Sequence, residues 1–203
     1  MNYFVTGIDT DSGKTLVAAI LCEALKADYW KPVQAGTPTD TETVKTLISN
    51  SQSVVHEERY RLKMAASPHA SAKAEGISIA MADLAAPSTT RDLIIEGAGG
   101  CLVPLNEKDF VIDLASQLGA VVILTADLYL GSINHTLLSV NELQRRNLHV
   151  KGIIFNGPSN PESEQIIMKH SMLPCLLHID REGYINREVV MRYANELLKN
   201  WNG

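Results

Sequence analysis

Three short runs of the chain carry the residue types that handle phosphate and metal. The first is Gly7-Ile8-Asp9-Thr10-Asp11-Ser12-Gly13-Lys14-Thr15. A glycine-bounded loop that ends in Gly-Lys-Thr and opens into a helix offers a phosphate backbone N–H groups, the positive end of a helix and an ammonium group. Lys14 would reach the β- and γ-phosphates as a point charge, and the Thr15 hydroxyl would ligate Mg²⁺. Gly13 would let the backbone approach closely, with no Cβ in the way. The strict spacing GxxxxGK[ST] is missed by one position, because Gly7 comes one residue early and Ile8 stands where the glycine is expected. The alternative is a tight strand-to-helix turn that merely contains Gly-Lys-Thr. The strand before it and the amphipathic helix after it favour a nucleotide site.

The second run is Asp92-Leu93-Ile94-Ile95-Glu96, which leads into Gly97-Ala98-Gly99-Gly100. A carboxylate at the end of a buried apolar strand is costly unless it is paired or sits on a metal. Phosphoryl transfer needs such a metal, and Mg²⁺ prefers carboxylate and hydroxyl oxygens together with phosphate oxygens. Glu96 is therefore a candidate metal ligand, with a satisfied structural carboxylate as the alternative, and the glycines after it read as a flexible turn. Asp40 is a second candidate, for which a plain helix N-cap is a serious rival.

The third run, Tyr29-Trp30-Lys31-Pro32-Val33, closes a strand with a lysine. Its position points Lys31 into the same crevice as Lys14, where a cation could hold a carboxylate or carbamate and offset charge on oxygen. A lysine snorkelling to the surface is the alternative.

Composition is compatible with this chemistry. The 203 residues are enough for one domain over 1–203, with 45% hydrophobic and 20% charged residues. A formal net charge of -5 argues against a nucleic-acid partner, though not against a nucleotide held by aimed N–H groups. The start MNYFVTGIDTD shows no secretory pattern, and no apolar run is long enough to cross a bilayer, so a cytoplasmic location without membrane contact is expected. Cys22, Cys101 and Cys175 form no CxxC pair and read as buried thiols. The six histidines show neither HxH nor HExxH spacing, which argues against a zinc enzyme.

The elements that must position these residues alternate along the chain. Strands are expected at 3–6, 28–33, 92–96, 120–125, 150–156 and 174–179. Helices are expected at 13–27, 39–48, 110–118, 132–147, 161–172 and 187–201, with Thr39 or Asp40 capping the second. The stretch 49–90 is less clear, with helical candidates after Pro68 and near 78–86. Continuous apolar strands alternating with helices imply a mostly parallel sheet covered on both faces, and ligands then bind beyond the strands' carboxyl ends. The expected class is α/β, a three-layer P-loop NTPase-like fold. A helix starting at Ser132 could hold a carboxylate at its N-terminus, or could be an ordinary capped helix.

Together TGIDTDSGKT, WKPVQAG, Ser67-Pro68-His69, EGAGG and LGSINHTLL followed by GIIFN resemble the dethiobiotin synthetase family. The resemblance runs from Tyr3 to about Asn156, roughly three quarters of the chain. It implies an ATP- and Mg²⁺-dependent homodimer that joins 7,8-diaminononanoate and CO2 into a cyclic urea. It further implies that Asp11, Ser12, Gly13, Lys14, Thr15, Leu16, Glu96 and Asn156 bind nucleotide, Asn156 at the adenine. Thr15, Asp40 and Glu96 match the metal ligands. Thr10, Lys31 and Gly99 match positions near the substrate, and Thr10, Lys14 and Lys31 the catalytic set. Gly131, Ser132, Ile133 and Asn134 resemble a helix start that receives the substrate carboxylate from the partner subunit. Two departures stand out: Ala35 replaces a frequent serine, and His178-Ile179-Asp180-Arg181-Glu182-Gly183 lacks a frequent proline. Partition ATPases of the ParA/MinD kind share the expected architecture, but Asp9 stands where they carry a second loop lysine. An amidating ATPase would want a glutamine-hydrolysing module, for which this chain has no room.

Overall fold

Alternation of side chains places the first strand, β1 (Asn2–Gly7), in the middle of the molecule. Tyr3 and Val5 enter one hydrophobic cluster and Phe4 the other, so both faces of the strand are covered. The computed structural model describes residues 1–201; the last two positions of the expected 1–203 domain, Asn202 and Gly203, lie outside the described residues. The helix after the loop is α1 (Lys14–Leu25), and the chain continues through β2 (Asp28–Trp30), β3 (Val33–Ala35) and α2 (Asp40–Leu47). Then come β4 (Val55–His56), β5 (Tyr60–Leu62), α3 (Pro68–Ala74) and β6 (Leu93–Gly100). The remainder is α4 (Asp113–Gln117), β7 (Val121–Asp127), α5 (Ser132–Arg145), β8 (Val150–Asn156), α6 (Pro161–Ser171), β9 (Cys175–Ile179) and α7 (Arg187–Asn200).

Seven strands form one sheet in the order β4-β2-β6-β1-β7-β8-β9, every adjoining pair parallel. Helices α1, α2 and α7 pack on one face around Val17, Ile20, Leu21, Val44, Val190 and Leu197. The other face is covered by α4, α5 and α6 through Leu114, Val140, Leu143 and Ile167. This is the expected α/β arrangement of three layers. Its consequence for the site is simple: β1, β6 and β2 lie side by side, so the residues at their carboxyl ends must meet.

Four expectations need correcting. The strand expected at 28–33 is two strands, because Pro32 has no N–H to continue a ladder. After Trp30 the chain leaves the main sheet, and β3 pairs with β5 in a separate two-stranded parallel sheet. The helix expected near 78–86 is one 3₁₀ turn, Met81–Asp83. The one expected at 110–118 begins only at Asp113, whose carboxylate accepts from the Phe110 N–H and holds the preceding turn. Finally, the glycines after Glu96 are not a flexible turn. They extend β6 to Gly100, which pairs with Gly7 across a register shift in β1.

Candidate functional site

The phosphate loop is shaped by two contacts that only glycine permits. Gly7 lies under the Ser12 hydroxyl, which a Cβ would approach to 2.0 Å. Gly13 takes φ +93°, and a Cβ there would sit 2.4 Å from the Asn156 Nδ2 atom. Asn156, at the end of β8, instead donates from Nδ2 to the Ser12 carbonyl at 3.1 Å. The loop is thus pinned from below, and α1 starts without a side-chain cap, leaving its first N–H groups to the cleft. Lys14 is 5% exposed and donates from Nζ to the Asp9 and Thr10 carbonyls, each at 2.8 Å. Burial, and then the nearby Lys31 charge, bring its pKa down to about 8. The carboxylates of Glu96, Asp40 and Asp9 favour its charge but do not outweigh burial.

Facing the loop, Glu96 on β6 is buried to 1% exposure and fully engaged. Its Oε1 accepts from Thr15 Oγ1 at 2.9 Å and from Lys31 Nζ at 3.0 Å, and its Oε2 accepts from the Tyr29 hydroxyl at 2.8 Å. Lys31, one residue beyond β2, also forms an ion pair with Asp40 and is 4% exposed, so the surface-lysine alternative fails. Burial opposes its charge, but Glu96 and Asp40 outweigh burial and raise its pKa above the usual value. Burial likewise works against the Asp40 charge, and the Lys31 ammonium overcomes it and lowers that pKa. Burial and the Glu96 carboxylate push the Tyr29 phenol well up, so the hydroxyl stays a donor.

The rivalry over Asp40 is resolved by its neighbour. Thr39 is the N-cap of α2, accepting from the Glu42 N–H at 3.1 Å, while the Glu42 carboxylate accepts from the Thr39 N–H in return. Freed from capping, the Asp40 side chain turns to Lys31. Gln34 on β3 shapes the preceding turn: its Oε1 accepts from the Asp40 N–H at 3.2 Å and its Nε2 donates to the Gly36 carbonyl at 3.2 Å.

These groups line one cleft of about 710 Å³. Thr10, Asp11, Gly13, Lys14, Thr15, Lys31, Asp40, Glu96 and Gly99 all face it, with 36–38 and 65–68 forming the opposite wall. Ala35, the departure noted in the sequence, is among the lining residues. Three of the expected nucleotide-binding positions lie elsewhere. Ser12 is buried behind the loop, Leu16 packs against the α1 core, and Asn156 stays beneath Gly13. Gly131, Ser132, Ile133 and Asn134 form the start of α5 and do not line this cleft. At that start Gly131 has φ +112° and no side chain caps the helix. Sequence reasoning missed Tyr29 as a partner of Glu96, since no spacing rule links residues on strands whose register is unknown.

Two carboxylates and a hydroxyl gathered around one ammonium suit a hard cation such as Mg²⁺. Among the described residues no three His, Cys, Asp or Glu side chains cluster as a metal cage. No helix among the described residues is long and apolar enough to cross a membrane.

Comparison with known proteins bears on fold and family. Solved structures of similar fold include a putative plasmid partition protein from Borrelia burgdorferi bound to AMPPNP, with TM-score 0.60 at 10% identity, covering 99% of this chain and 97% of that one. A MinD septum site-determining protein from Pyrococcus horikoshii complexed with Mg-ADP has TM-score 0.54 at 13% identity, covering 97% and 89%. At such identity they show the P-loop fold alone. The family described as an AAA domain matches residues 1–189. The ATP-dependent dethiobiotin synthetase BioD of Christiangramia forsetii is 46% identical over 98% of this chain and 96% of its own length. The protein of the same name from Cytophaga hutchinsonii is 59% identical over 98% of both chains. Identity at that level along nearly the whole length, with the phosphate loop and the Lys31 crevice inside it, means that the chain belongs to the ATP-dependent dethiobiotin synthetase family.

Proposed function

We propose that this chain, working as a homodimer in the cytoplasm, uses ATP and Mg²⁺ to carboxylate 7,8-diaminononanoate with CO2 and close the ring of dethiobiotin, a step of biotin biosynthesis. The observation that carries the reading is Lys31. A buried ammonium stands between two carboxylates, across one cleft from a phosphate-loop lysine.

In this reading the chain forms no covalent bond to substrate. One substrate amine adds to CO2, a C–N bond forms, and a proton leaves to give a carbamate. A carbamate oxygen then attacks the γ-phosphorus of ATP, and the bond to ADP breaks. The second amine attacks the carbamoyl carbon, its proton is lost, and the C–O bond to phosphate breaks, giving the cyclic urea. Lys14 follows charge on the transferring phosphate, and Thr10 and Lys31 orient the carbamate and offset its charge. Thr15, Asp40 and Glu96 would hold Mg²⁺, which supplies charge neutralisation at the phosphate oxygens. Asp11, Ser12, Gly13 and Leu16 belong to the loop and helix start that cradle the phosphates. Asn156 commits one amide hydrogen to Ser12 and keeps its carbonyl oxygen for the base.

The homodimer is supported by exposed apolar side chains around the start of α5. Leu130 is 103% exposed, Leu138 58% and Leu102 51%. Covering them with a second copy would bring the uncapped Gly131–Ser132–Ile133–Asn134 segment to the partner's cleft, where helix N–H groups suit the substrate carboxylate.

The test is a dependence experiment. ADP release should require the diamine and bicarbonate together with ATP and Mg²⁺, and dethiobiotin should accumulate in step. ATP hydrolysis that ignores the diamine and yields no ring product would reject the reading.

A further inference from the structure

We infer that Tyr29 is a positioning residue that fixes the rotation of the Glu96 carboxylate toward the metal–nucleotide side of the cleft; this rests on the metal-ligand reading of Glu96. Tyr29 and Ile94 are partners in register between β2 and β6. Side chains two apart on a strand share a face, so Glu96 lies one step beyond Ile94 on the face that Tyr29 also uses. The Tyr29 side chain leans along the strand, and its hydroxyl donates to Glu96 Oε2 at 2.8 Å.

The ring itself cannot wander. It is 0% exposed and belongs to the core cluster beneath α1, with Val17, Ile20, Leu21 and Ile94. A donor held this firmly fixes the plane of the carboxylate it serves. With Oε2 committed to Tyr29, Oε1 is left toward Thr15, at 2.9 Å, and Lys31, at 3.0 Å. Those two partners are the ones with other work to do. Thr15 and Lys31 must be able to turn to the metal and the carbamate, whereas among the described residues the Tyr29 hydroxyl has no hydrogen-bond partner other than Glu96. A carboxylate carrying a metal is commonly oriented by such an outer partner, and loss of the partner weakens the metal rather than the fold.

The experiment measures binding of a nonhydrolysable ATP analogue by calorimetry, with and without Mg²⁺. The quantity read is the enhancement of affinity that Mg²⁺ provides. Tyr29→Phe should lose roughly 10-fold of that enhancement, with the metal-free affinity unchanged. Tyr60→Phe is the matched control, since it removes a phenol that donates to Asp83 at 2.8 Å away from the cleft, and it should keep the wild-type enhancement. A Tyr29→Phe protein with the full enhancement would overturn the inference. A wild-type protein with no enhancement would overturn the metal reading of Glu96 and the inference with it. Should Tyr29→Phe not fold, 3-fluorotyrosine at position 29 replaces it. Its ¹⁹F resonance should move when Mg²⁺ joins the bound nucleotide, and a resonance that stays in place contradicts the role.

Discussion

Glu23 and Glu96 are buried almost equally, at 5% and 1% exposure, yet they are held in opposite ways. Glu23, near the end of α1, accepts from the Ser49 and Asn50 backbone N–H groups at 2.7 and 3.1 Å, from Asn50 Nδ2 at 3.2 Å and from Lys26 at 2.9 Å. Burial works against its charge, but these donors overcome burial and bring its pKa down to about 2. Glu96 has no backbone donor among its recorded partners, which are the side chains of Thr15, Lys31 and Tyr29. Backbone donors cannot let go without unfolding a turn. Side-chain donors can, and a carboxylate surrounded by them can exchange a partner for a ligand. The first arrangement is tied to the fold, and the second can rearrange without unfolding it.

Helix α2 joins the two regions, because its first residue, Asp40, faces Lys31 and the chain just beyond its end supplies Ser49 and Asn50 to Glu23.

The largest expected effect separates the regions at once. Lys14→Ala should reduce turnover roughly 10³-fold through lost charge stabilisation of the transferring phosphate, while the melting temperature does not fall. Activity near the wild-type level would mean that the loop does not hold the phosphates. Next comes the matched pair of carboxylates. Glu96→Gln should cost roughly 10²-fold in turnover at fixed Mg²⁺ with partial recovery at higher Mg²⁺. Glu23→Gln should leave turnover intact in assays below its melting temperature and lower stability by ~2 kcal/mol, the order expected for a buried charge with several donors. If the two variants exchanged phenotypes, the distinction between backbone-held and side-chain-held carboxylates would be broken.

Acid titration sharpens the same contrast. The folded pKa of Glu23 is about 2 against an ordinary value of 4.5, so the folded state binds fewer protons between these values. Its stabilisation is complete above about pH 4.5 and is lost as pH falls through about 2. Chemical unfolding measured across that window should show a fall in wild-type stability that is smaller in Glu23→Gln. The smallest effect is expected from the connecting helix. Thr39→Ala removes the α2 cap and should cost about 1 kcal/mol in unfolding free energy, with a modest rise in the Mg²⁺ needed for half-maximal activity. A variant as stable as wild type would show that the reciprocal Thr39–Glu42 bonds do not hold the helix start.

Much of this was legible in the sequence, for local reasons. Gly13, Lys14 and Thr15 are contiguous, and the strand and helix around them have strong apolar periodicity. The order of strands and helices after residue 92 followed from the same signal. Less could be read where contacts depend on register or on very short elements. β3, β4 and β5 have three, two and three residues, too few to show a period, and the strand expected at 28–33 divides at Pro32 into β2 and the start of β3. The Asp40 ambiguity needed the Thr39 hydroxyl to be located. Tyr29 needed the pairing of β2 with β6.

The central claim is that the cleft transfers a phosphoryl group onto a carbamate and then expels it during ring closure. It is tested most directly by isotope transfer in a single turnover, run fast enough to outpace exchange with water. With ¹⁸O-labelled CO2, the diamine and unlabelled ATP, one labelled oxygen should appear in the phosphate released for each dethiobiotin formed. Dethiobiotin formed alongside wholly unlabelled phosphate would contradict the account.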